Sequence, residues 1–119
     1  MANQTGRIST IGLTPLASSP TQLSLKLLRD EGWRVAVVEH WNHFARIRQD
    51  LFGIIDLLCV KDGVTMGVQT TSYSNVSARV KKIADSEHIG ALRDAEWRII
   101  VHGWHKVGNR WQVRTVDVS

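Results

Sequence analysis

The sequence from Arg48 to Thr71 reads RQDLFGIIDLLCVKDGVTMGVQTT, and it decides the predicted fold. Two apolar runs, Gly53–Val60 and Val64–Val68, are separated by the tripeptide Lys61–Gly63. The Asp-Gly pair in this tripeptide is a strong hairpin signal, because the tight turn between two strands requires positive φ at its central residues. The stretch therefore predicts a β-hairpin.

Two polar side chains interrupt the hairpin where a purely structural strand would carry aliphatic residues. Asp56 lies within the first apolar run, and Gln69 directly follows the second. An unpaired carboxylate inside such a run is costly, so it usually lies at a strand end, in a solvated cleft or beside a metal. Asp56 and Gln69 are therefore candidate site residues. One structural alternative is a salt bridge from Asp56 to Arg46 or Arg48. Another is that Gln69 only forms hydrogen bonds within its strand.

This spacing resembles the core of the PD-(D/E)XK nuclease superfamily, which has the restriction-endonuclease and Holliday-junction-resolvase-like fold. In that superfamily an acid on one strand and an acid-x-lysine on the next hold magnesium beside the scissile phosphate. Asp56 matches the first acid, with Ile55 in place of the family's proline, and Gln69–Thr71 falls at the acid-x-lysine. Glutamine occurs at the first of these positions in some subfamilies, whereas Thr71 replaces the lysine. The resemblance covers roughly Thr21 to Trp104.

The resemblance implies a site for magnesium or manganese, which prefer hard oxygen ligands. Asp56 would supply a carboxylate oxygen and Gln69 an amide oxygen. The backbone carbonyl of Thr70 would be a third ligand by the same resemblance. Glu39, at the end of the first predicted strand of the domain, is the best candidate for a further acid.

Threonine at position 71 leaves two interpretations of the site open. In the first, Lys82 or Lys81, on the helix after the hairpin, takes the place of the motif lysine. In the second, the site has lost catalysis and only binds its partner. The catalytic candidates implied by the resemblance are Asp56, Gln69, Thr71 and Lys82.

Basic side chains flank the proposed site, as contacts to nucleic-acid phosphates would require. They are Arg46, Arg48, Arg79, Lys81 and Lys82. Tyr73 lies beside them in sequence, and it either stacks on a base or packs on the helix. The alternative for the basic run at 79–82 is a solvated helix face without a partner.

The histidines offer a rival metal site. His40 and His43, like His102 and His105, form an H-x-x-H pair, and four imidazoles are a suitable zinc ligand set. On strands or tight turns this spacing does not aim both rings of a pair at one point. The carboxylate site is therefore the preferred hypothesis.

The predicted elements follow the order α-β-β-β-α-β with one further C-terminal strand, which indicates an α/β fold. This order is that of the superfamily's minimal core, so the resemblance implies a restriction-endonuclease-like core, a central mixed sheet flanked by helices. The first predicted helix is capped by Thr21 and ends at Gly32, and a strand Trp33–Val38 follows, with Val35, Val37 and Val38 buried. After the hairpin, Ser74 or Asn75 caps a second helix, which has Val76, Val80, Ile83 and Ala84 on one face. A helical segment Ser86–Ala95 and the strands Trp97–Val101 and Trp111–Val118 complete the predicted elements. Residues 1–20 are predicted as an extended arm with a short strand at Arg7–Leu13, and residues 21–119 as one nuclease-like domain.

The composition of the chain limits the classes of protein to which it can belong. A chain of 119 residues with a net charge of +4 fits one domain and is compatible with a polyanionic partner. Cys59 is the single cysteine, which excludes an internal disulfide and favours a reducing, cytoplasmic location. No apolar run reaches the ~20 residues of a membrane helix, and no signal peptide is evident.

These observations together favour a metal-dependent endodeoxyribonuclease, a hydrolase that acts on structured DNA. By the resemblance it would work as a homodimer, since two DNA strands need two cuts. The alternative is a catalytically inactive nuclease-fold protein that binds nucleic acid or a protein partner.

Overall fold

The computed structural model describes residues 6–11 and 19–119. The strands in this part of the chain are β1 (Gly6–Ile11), β2 (Arg34–Val37), β3 (His40–Asn42), β4 (Ile47–Gln49), β5 (Leu57–Lys61), β6 (Val64–Ser72), β7 (Arg98–Val107) and β8 (Arg110–Asp117). The helices are α1 (Pro20–Asp30), α2 (Val76–Ala84) and α3 (Ile89–Asp94), and a 3-10 turn (Tyr73–Asn75) precedes α2. Both helices and strands are interspersed along the chain, so the predicted α/β class is confirmed.

The predicted hairpin forms between β5 and β6. Asp62 and Gly63 both have positive φ, of 50° and 79°, and Lys61 pairs with Val64 across the turn. This is the backbone that an Asp-Gly hairpin turn requires. The first strand begins at Leu57 rather than at Gly53, because the chain turns at 50–53 before it enters the sheet.

The main sheet is mixed. Its strand order is β1-β8-β7-β6-β5-β2, and β6 and β7 are parallel whereas the other neighbours are antiparallel. A parallel pair needs a crossover connection, and α2 and α3 supply it. Strands β3 and β4 form a separate two-stranded sheet inserted between β2 and β5. The predicted central mixed sheet with flanking helices is therefore confirmed.

Helices cover both faces of this sheet, since successive strand residues point to opposite sides. Helix α1 packs on one face through two clusters: Leu28, Leu57, Cys59, Met66, Val68 and Ile100, and Leu23, Trp104 and Val113. Helices α2 and α3 pack on the other face around Ile54, Ile55, Val76, Ile83, Ile89, Leu92, Ile99, Val101, Val116 and Val118. Within 6–11 and 19–119, no helix has the length and apolar character that crossing a membrane demands.

Several predicted helix ends and faces were wrong. Ser19, not Thr21, caps α1, because its hydroxyl accepts a hydrogen bond from the Gln22 backbone N–H at 3.2 Å. Asn75 occupies the cap position of α2, but its side chain makes no capping hydrogen bond there. Ala84 is exposed rather than buried, because it lies in the last turn of α2.

Strand predictions also needed correction. Val37 is 47% exposed, because β2 is an edge strand and the outer side of its end is uncovered. Strand β7 runs to Val107, well beyond the predicted end at Val101, because β6 and β8 pair with it on both sides.

The N-terminal arm contributes one strand to the sheet. The short strand predicted at Arg7–Leu13 corresponds to β1, which pairs antiparallel with β8. The remainder of the predicted arm up to residue 18 lies outside the described residues.

Gly103 allows the start of α2 to pack closely on β7. A Cβ atom at this glycine would lie 2.1 Å from Cγ2 of Val76 and 3.3 Å from the Cα of Tyr73. Both distances are shorter than ordinary van der Waals contact. The missing side chain therefore fixes how near the 3-10 turn and α2 approach the sheet.

We expect Gly103→Ala to lower the free energy of unfolding by about 1–3 kcal/mol, because the new methyl group overpacks this contact. Urea denaturation measures the change. Gly90→Ala is the matched control, since nothing lies within 4 Å of its added Cβ and alanine favours the helix. Equal stability of Gly103→Ala and the wild type would contradict the packing argument.

Candidate functional site

An open cleft of about 690 Å³ lies where β5 begins and β6 ends. The predicted site residues that line it are Glu39, Arg48, Asp56, Gln69, Thr70, Thr71, Arg79 and Lys82. Ser19, Pro20, Thr21 and Gln22, at the start of α1, form another part of its wall. The structure thus brings together side chains from α1, β6, α2 and the segments around the β3–β4 insertion.

The Asp56 carboxylate is buried at the floor of this cleft. The antiparallel register that pairs Leu57 with Val68 places Asp56 opposite Gln69. Oδ2 of Asp56 accepts hydrogen bonds from Gln69 Nε2 and the Thr70 backbone N–H, each at 2.7 Å, and from Thr70 Oγ1 at 3.1 Å. These polar contacts take the place of the alternative salt bridge to an arginine.

Burial raises the pKa of the Asp56 carboxyl from its ordinary 3.8 to about 7. The neighbouring Asp50 carboxylate raises this pKa further, through a hydrogen bond and charge repulsion. The hydrogen bonds from the Thr70 backbone and the Gln69 amide oppose the shift. A nearby positive charge would favour the ionised form of this carboxylate.

Asp50 belongs to the site, although sequence reasoning did not select it. One carboxylate oxygen from each of Glu39, Asp50 and Asp56 lies within 4.8 Å of the others. The signal that points to Asp50 is the pattern Asp-x-x-Gly, which favours a β-turn. The Gly53 backbone N–H donates to the Asp50 carbonyl at 2.9 Å, and this turn folds the Asp50 side chain back towards β6.

Gln69 carries a buried acceptor without a partner. Its side chain is 1% exposed, and Nε2 donates to Asp56 at 2.7 Å and to Asp50 at 3.3 Å. In the described part of the chain, Oε1 has no hydrogen-bond partner. The reverse amide orientation would place this oxygen against two carboxylates. An unpaired buried acceptor of this kind is costly to the folded state.

Hydroxyl groups connect Glu39 to the cleft floor. The Thr21 hydroxyl donates to Glu39 Oε1 at 3.0 Å and lies 2.9 Å from the Thr70 hydroxyl. Arg48 also contacts Glu39 Oε1, at 3.3 Å. Thr21, which was predicted only as a helix cap, therefore helps to position a candidate metal ligand.

The two candidate lysines on α2 have different surroundings. Lys82 lines the cleft, and its Nζ lies 3.6 Å from Asp50 Oδ2. Lys81 pairs instead with Asp85, four residues further along the helix, and it does not line the cleft. Of the two lysines, Lys82 is therefore the one beside the acidic cluster, and Arg79 lines the cleft one turn earlier.

Two predicted nucleic-acid contacts lie away from the cleft lining. Arg46 is in the β3–β4 turn, with φ of 55°. Tyr73 stacks on His105, with ring centroids 4.1 Å apart and an interplanar angle of 19°. One face of the Tyr73 ring is thus covered by the protein, which corresponds to the packing alternative rather than to base stacking on that face.

The histidine pairs do not converge. His102 is buried and contacts the Ser24 hydroxyl through Nδ1 at 2.9 Å, whereas His105 packs on Tyr73. His40 and His43 are exposed on the β3–β4 hairpin. Among the described residues, the group close enough to hold a metal consists of carboxylates, so the four-histidine site is wrong.

Comparison of the chain with protein-family models, curated proteins and solved structures finds no match. The interpretation of the cleft therefore rests on the geometry of its own residues.

The pKa of Asp56 gives a pH-dependent stability. The folded state keeps a proton on Asp56 that the unfolded chain releases between about pH 4 and pH 7, so this group's contribution to stability falls as pH rises through that window. Without divalent cations, we compare the free energy of unfolding of Asp56→Asn with that of the wild type. We expect this difference to shift in favour of Asp56→Asn by about 1–4 kcal/mol as the pH rises from 4 to 8.

Chemical denaturation in EDTA at several pH values measures this difference. Asp62→Asn is the control, because Asp62 is exposed and Asn-Gly suits the same hairpin turn. A stability difference between Asp56→Asn and the wild type that stays constant over this pH range would contradict the burial argument.

Proposed function

We propose that the cleft binds magnesium or manganese and hydrolyses phosphodiester bonds of DNA, as a metal-dependent endodeoxyribonuclease with a restriction-endonuclease-like core. The observation that carries the proposal is the convergence of Glu39, Asp50 and Asp56 with Gln69 and Lys82 in one open cleft. An acidic cluster alone is common on protein surfaces. A buried carboxylate, an orphan amide oxygen and a lysine beside it form a more specific combination.

The residues fit the proposed cation. Magnesium takes oxygen ligands, usually one or two carboxylates together with water and substrate phosphate. Asp56, Asp50 and Glu39 would each supply a carboxylate oxygen. The unpaired Oε1 of Gln69 supplies a neutral oxygen, and the Thr70 carbonyl joins the set by the resemblance.

The order of elements supports the same proposal. Helix α1, strands β2, β5 and β6, helix α2 and strand β7 follow one another in the order α-β-β-β-α-β, with β3–β4 and α3 as additions. The acid precedes β5, and the glutamine lies near the end of β6. This arrangement is similar to that of the acid and the acid-x-lysine in the PD-(D/E)XK superfamily, and the similarity supports the proposal.

The side chains around the cleft have distinct proposed roles. A bound cation would polarise a phosphoryl oxygen and favour ionised carboxylates. Lys82, oriented by Asp50, would place an ammonium group where negative charge develops during hydrolysis. Arg79 and Arg48 would hold the phosphate backbone at the cleft wall. Thr71 is 5% exposed and offers only a hydroxyl group.

Cleavage of a supercoiled DNA with magnesium or manganese tests the catalytic proposal. We expect Asp56→Asn to abolish it and Lys82→Ala to slow it about 10²–10³-fold, as when one stabilising group is removed from an oxyanion site. Lys81→Ala is the matched control and should cleave like the wild type, because Lys81 is exposed and pairs with Asp85.

A lysine at position 71 provides a gain-of-function test. In the Lys82→Ala background, Thr71→Lys should restore part of the activity, because it returns the ammonium group to the motif position. Cleavage that survives Asp56→Asn would show that this site is not the nuclease centre.

The second candidate is a catalytically inactive nuclease-fold protein that binds nucleic acid or a protein partner, and the neutral Thr71 favours it. Absence of cleavage by the wild type and by Thr71→Lys, with retained DNA binding, would select this function. A homodimer, which cutting both strands would require, belongs to the first proposal. Sedimentation velocity with and without DNA measures it.

Salt dependence of DNA binding tests the basic wall. If Arg79 and Lys82 each contact a phosphate, either alanine substitution should reduce the slope of log K against log salt by about 0.9. Lys81→Ala should leave the slope unchanged, since Lys81 does not line the cleft. Fluorescence anisotropy with a labelled duplex in calcium gives the slopes. Identical slopes for all three variants would show that neither Arg79 nor Lys82 binds a phosphate.

A further inference from the structure

The β3–β4 hairpin exposes apolar and aromatic side chains beside the cleft. Trp41 is 49% exposed, Ile47 is 49% exposed and Phe44 is fully exposed at 101%. A single exposed apolar side chain is ordinary, but several on one small hairpin form a patch of the kind that marks interaction surfaces. The hairpin is a separate two-stranded sheet, so these side chains contribute little to the central core.

The turn of this hairpin is held by its own hydrogen bonds. Oδ1 of Asn42 accepts from the backbone N–H groups of Phe44 and Ala45, each at 3.0 Å. The Arg46 N–H donates to the Asn42 carbonyl at 2.8 Å. Phe44 is therefore presented by an ordered turn at the tip of the hairpin.

One face of the hairpin continues into the cleft. Trp41 pairs with Arg48 across the strands, so both side chains project from the same face. Arg48 reaches Glu39 and lines the cleft. Trp41 consequently lies on the cleft side of the hairpin, next to the phosphate-binding wall of the proposed function.

The charge of the hairpin indicates the kind of partner. From His40 to Gln49 the sequence contains two arginines and no acidic residue. Aromatic rings interspersed with guanidinium groups suit nucleic-acid strands, whose bases stack on aromatic side chains while cations follow the backbone.

We infer that the β3–β4 hairpin is a stacking surface for unpaired bases of the DNA strand whose phosphate lies in the cleft. This inference rests on the proposed function and narrows its substrate class to DNA with a single-stranded segment beside the cleavage point, such as a fork or a flap. Bases inside an intact duplex stack on each other, so Trp41 and Phe44 reach them only where pairing has ended.

Binding of a forked DNA and of a fully paired duplex of equal length tests the inference, in calcium and by fluorescence anisotropy. Phe44→Ala and Trp41→Ala should each weaken fork binding by about 5- to 150-fold per stacked base, and duplex binding by less than about twofold. Val60→Ala is the matched control, because Val60 is similarly exposed (44%) and lies beside the Asp-Gly turn, at the opposite end of the β5–β6 hairpin from Asp56 and Gln69. It should bind both DNAs like the wild type.

A fork that carries 2-aminopurine in its single strand reports stacking directly. Its fluorescence should change on binding the wild type, and Phe44→Ala should lose part of that change. Unaltered fork affinity and fluorescence in both aromatic variants would overturn the inference. Equal losses for fork and duplex would overturn it as well.

Comparison of the cleft variants with the aromatic variants shows whether the stacking inference or the proposed nuclease function has failed. If Asp56→Asn abolishes cleavage while the aromatic variants behave like the wild type, the inference fails and the nuclease proposal stands. If the wild type binds neither DNA, both fail. If Phe44→Ala instead converts a dimer into a monomer in sedimentation velocity without changing fork affinity, the hairpin contacts a second copy of the chain, and the stacking role is wrong.

Discussion

The cleft depends on one constraint, the burial of the Asp56 carboxylate at the end of the central hairpin. A buried ionised group requires compensation from hydrogen bonds or from an opposite charge. Thr70 and Gln69 supply hydrogen bonds at 2.7 Å, but Asp50 adds a second carboxylate rather than a cation. The carboxylates of this site are compensated by Lys82 and Arg48 and, on Asp56, by a bound proton. A cation bound as proposed would favour the ionised form of Asp56.

The elements around Asp56 are arranged so that this site faces solvent. The Asp-Gly turn sets the register that places Asp56 opposite Gln69, one residue beyond the last apolar pair, Leu57 and Val68. The parallel pairing of β6 with β7 requires the crossover through α2, and the crossover brings Arg79 and Lys82 to the cleft. Gly103 allows α2 to begin close to the sheet. The same backbone geometry thus determines both the acidic floor and the basic wall.

Sequence patterns predicted the parts of this arrangement that depend on local chemistry. The Asp-Gly turn, with φ of 50° and 79°, and the polar interruptions at Asp56 and Gln69 were readable because turns and buried strands have strong residue preferences. Asp50 was not recognised, because its place depends on a turn that folds a connecting segment back onto the sheet.

The β3–β4 insertion was also missed as a hairpin. Its strands have three residues each, and its turn lacks the Asn-Gly or Asp-Gly pair that marks tight hairpins. The role of Thr21 could not be derived either, because its contacts with Glu39 and Thr70 join residues 18 and 49 positions apart in the chain. Such contacts follow from the packing of α1 on the sheet rather than from local sequence.

In the proposed nuclease site, the cationic group comes from Lys82 on α2 rather than from position 71. Position 71 is 5% exposed, so an ammonium group there would lose much of its hydration and would depend on the carboxylates of the cleft for compensation. The Lys82 side chain approaches from the rim, is 42% exposed and lies 3.6 Å from Asp50. A lysine on α2 therefore remains partly hydrated beside the acidic cluster, and in the proposed function its flexible stem would let it follow a phosphate. In that proposal, a cationic side chain on α2 leaves the buried strand position free to pack as part of the cleft floor.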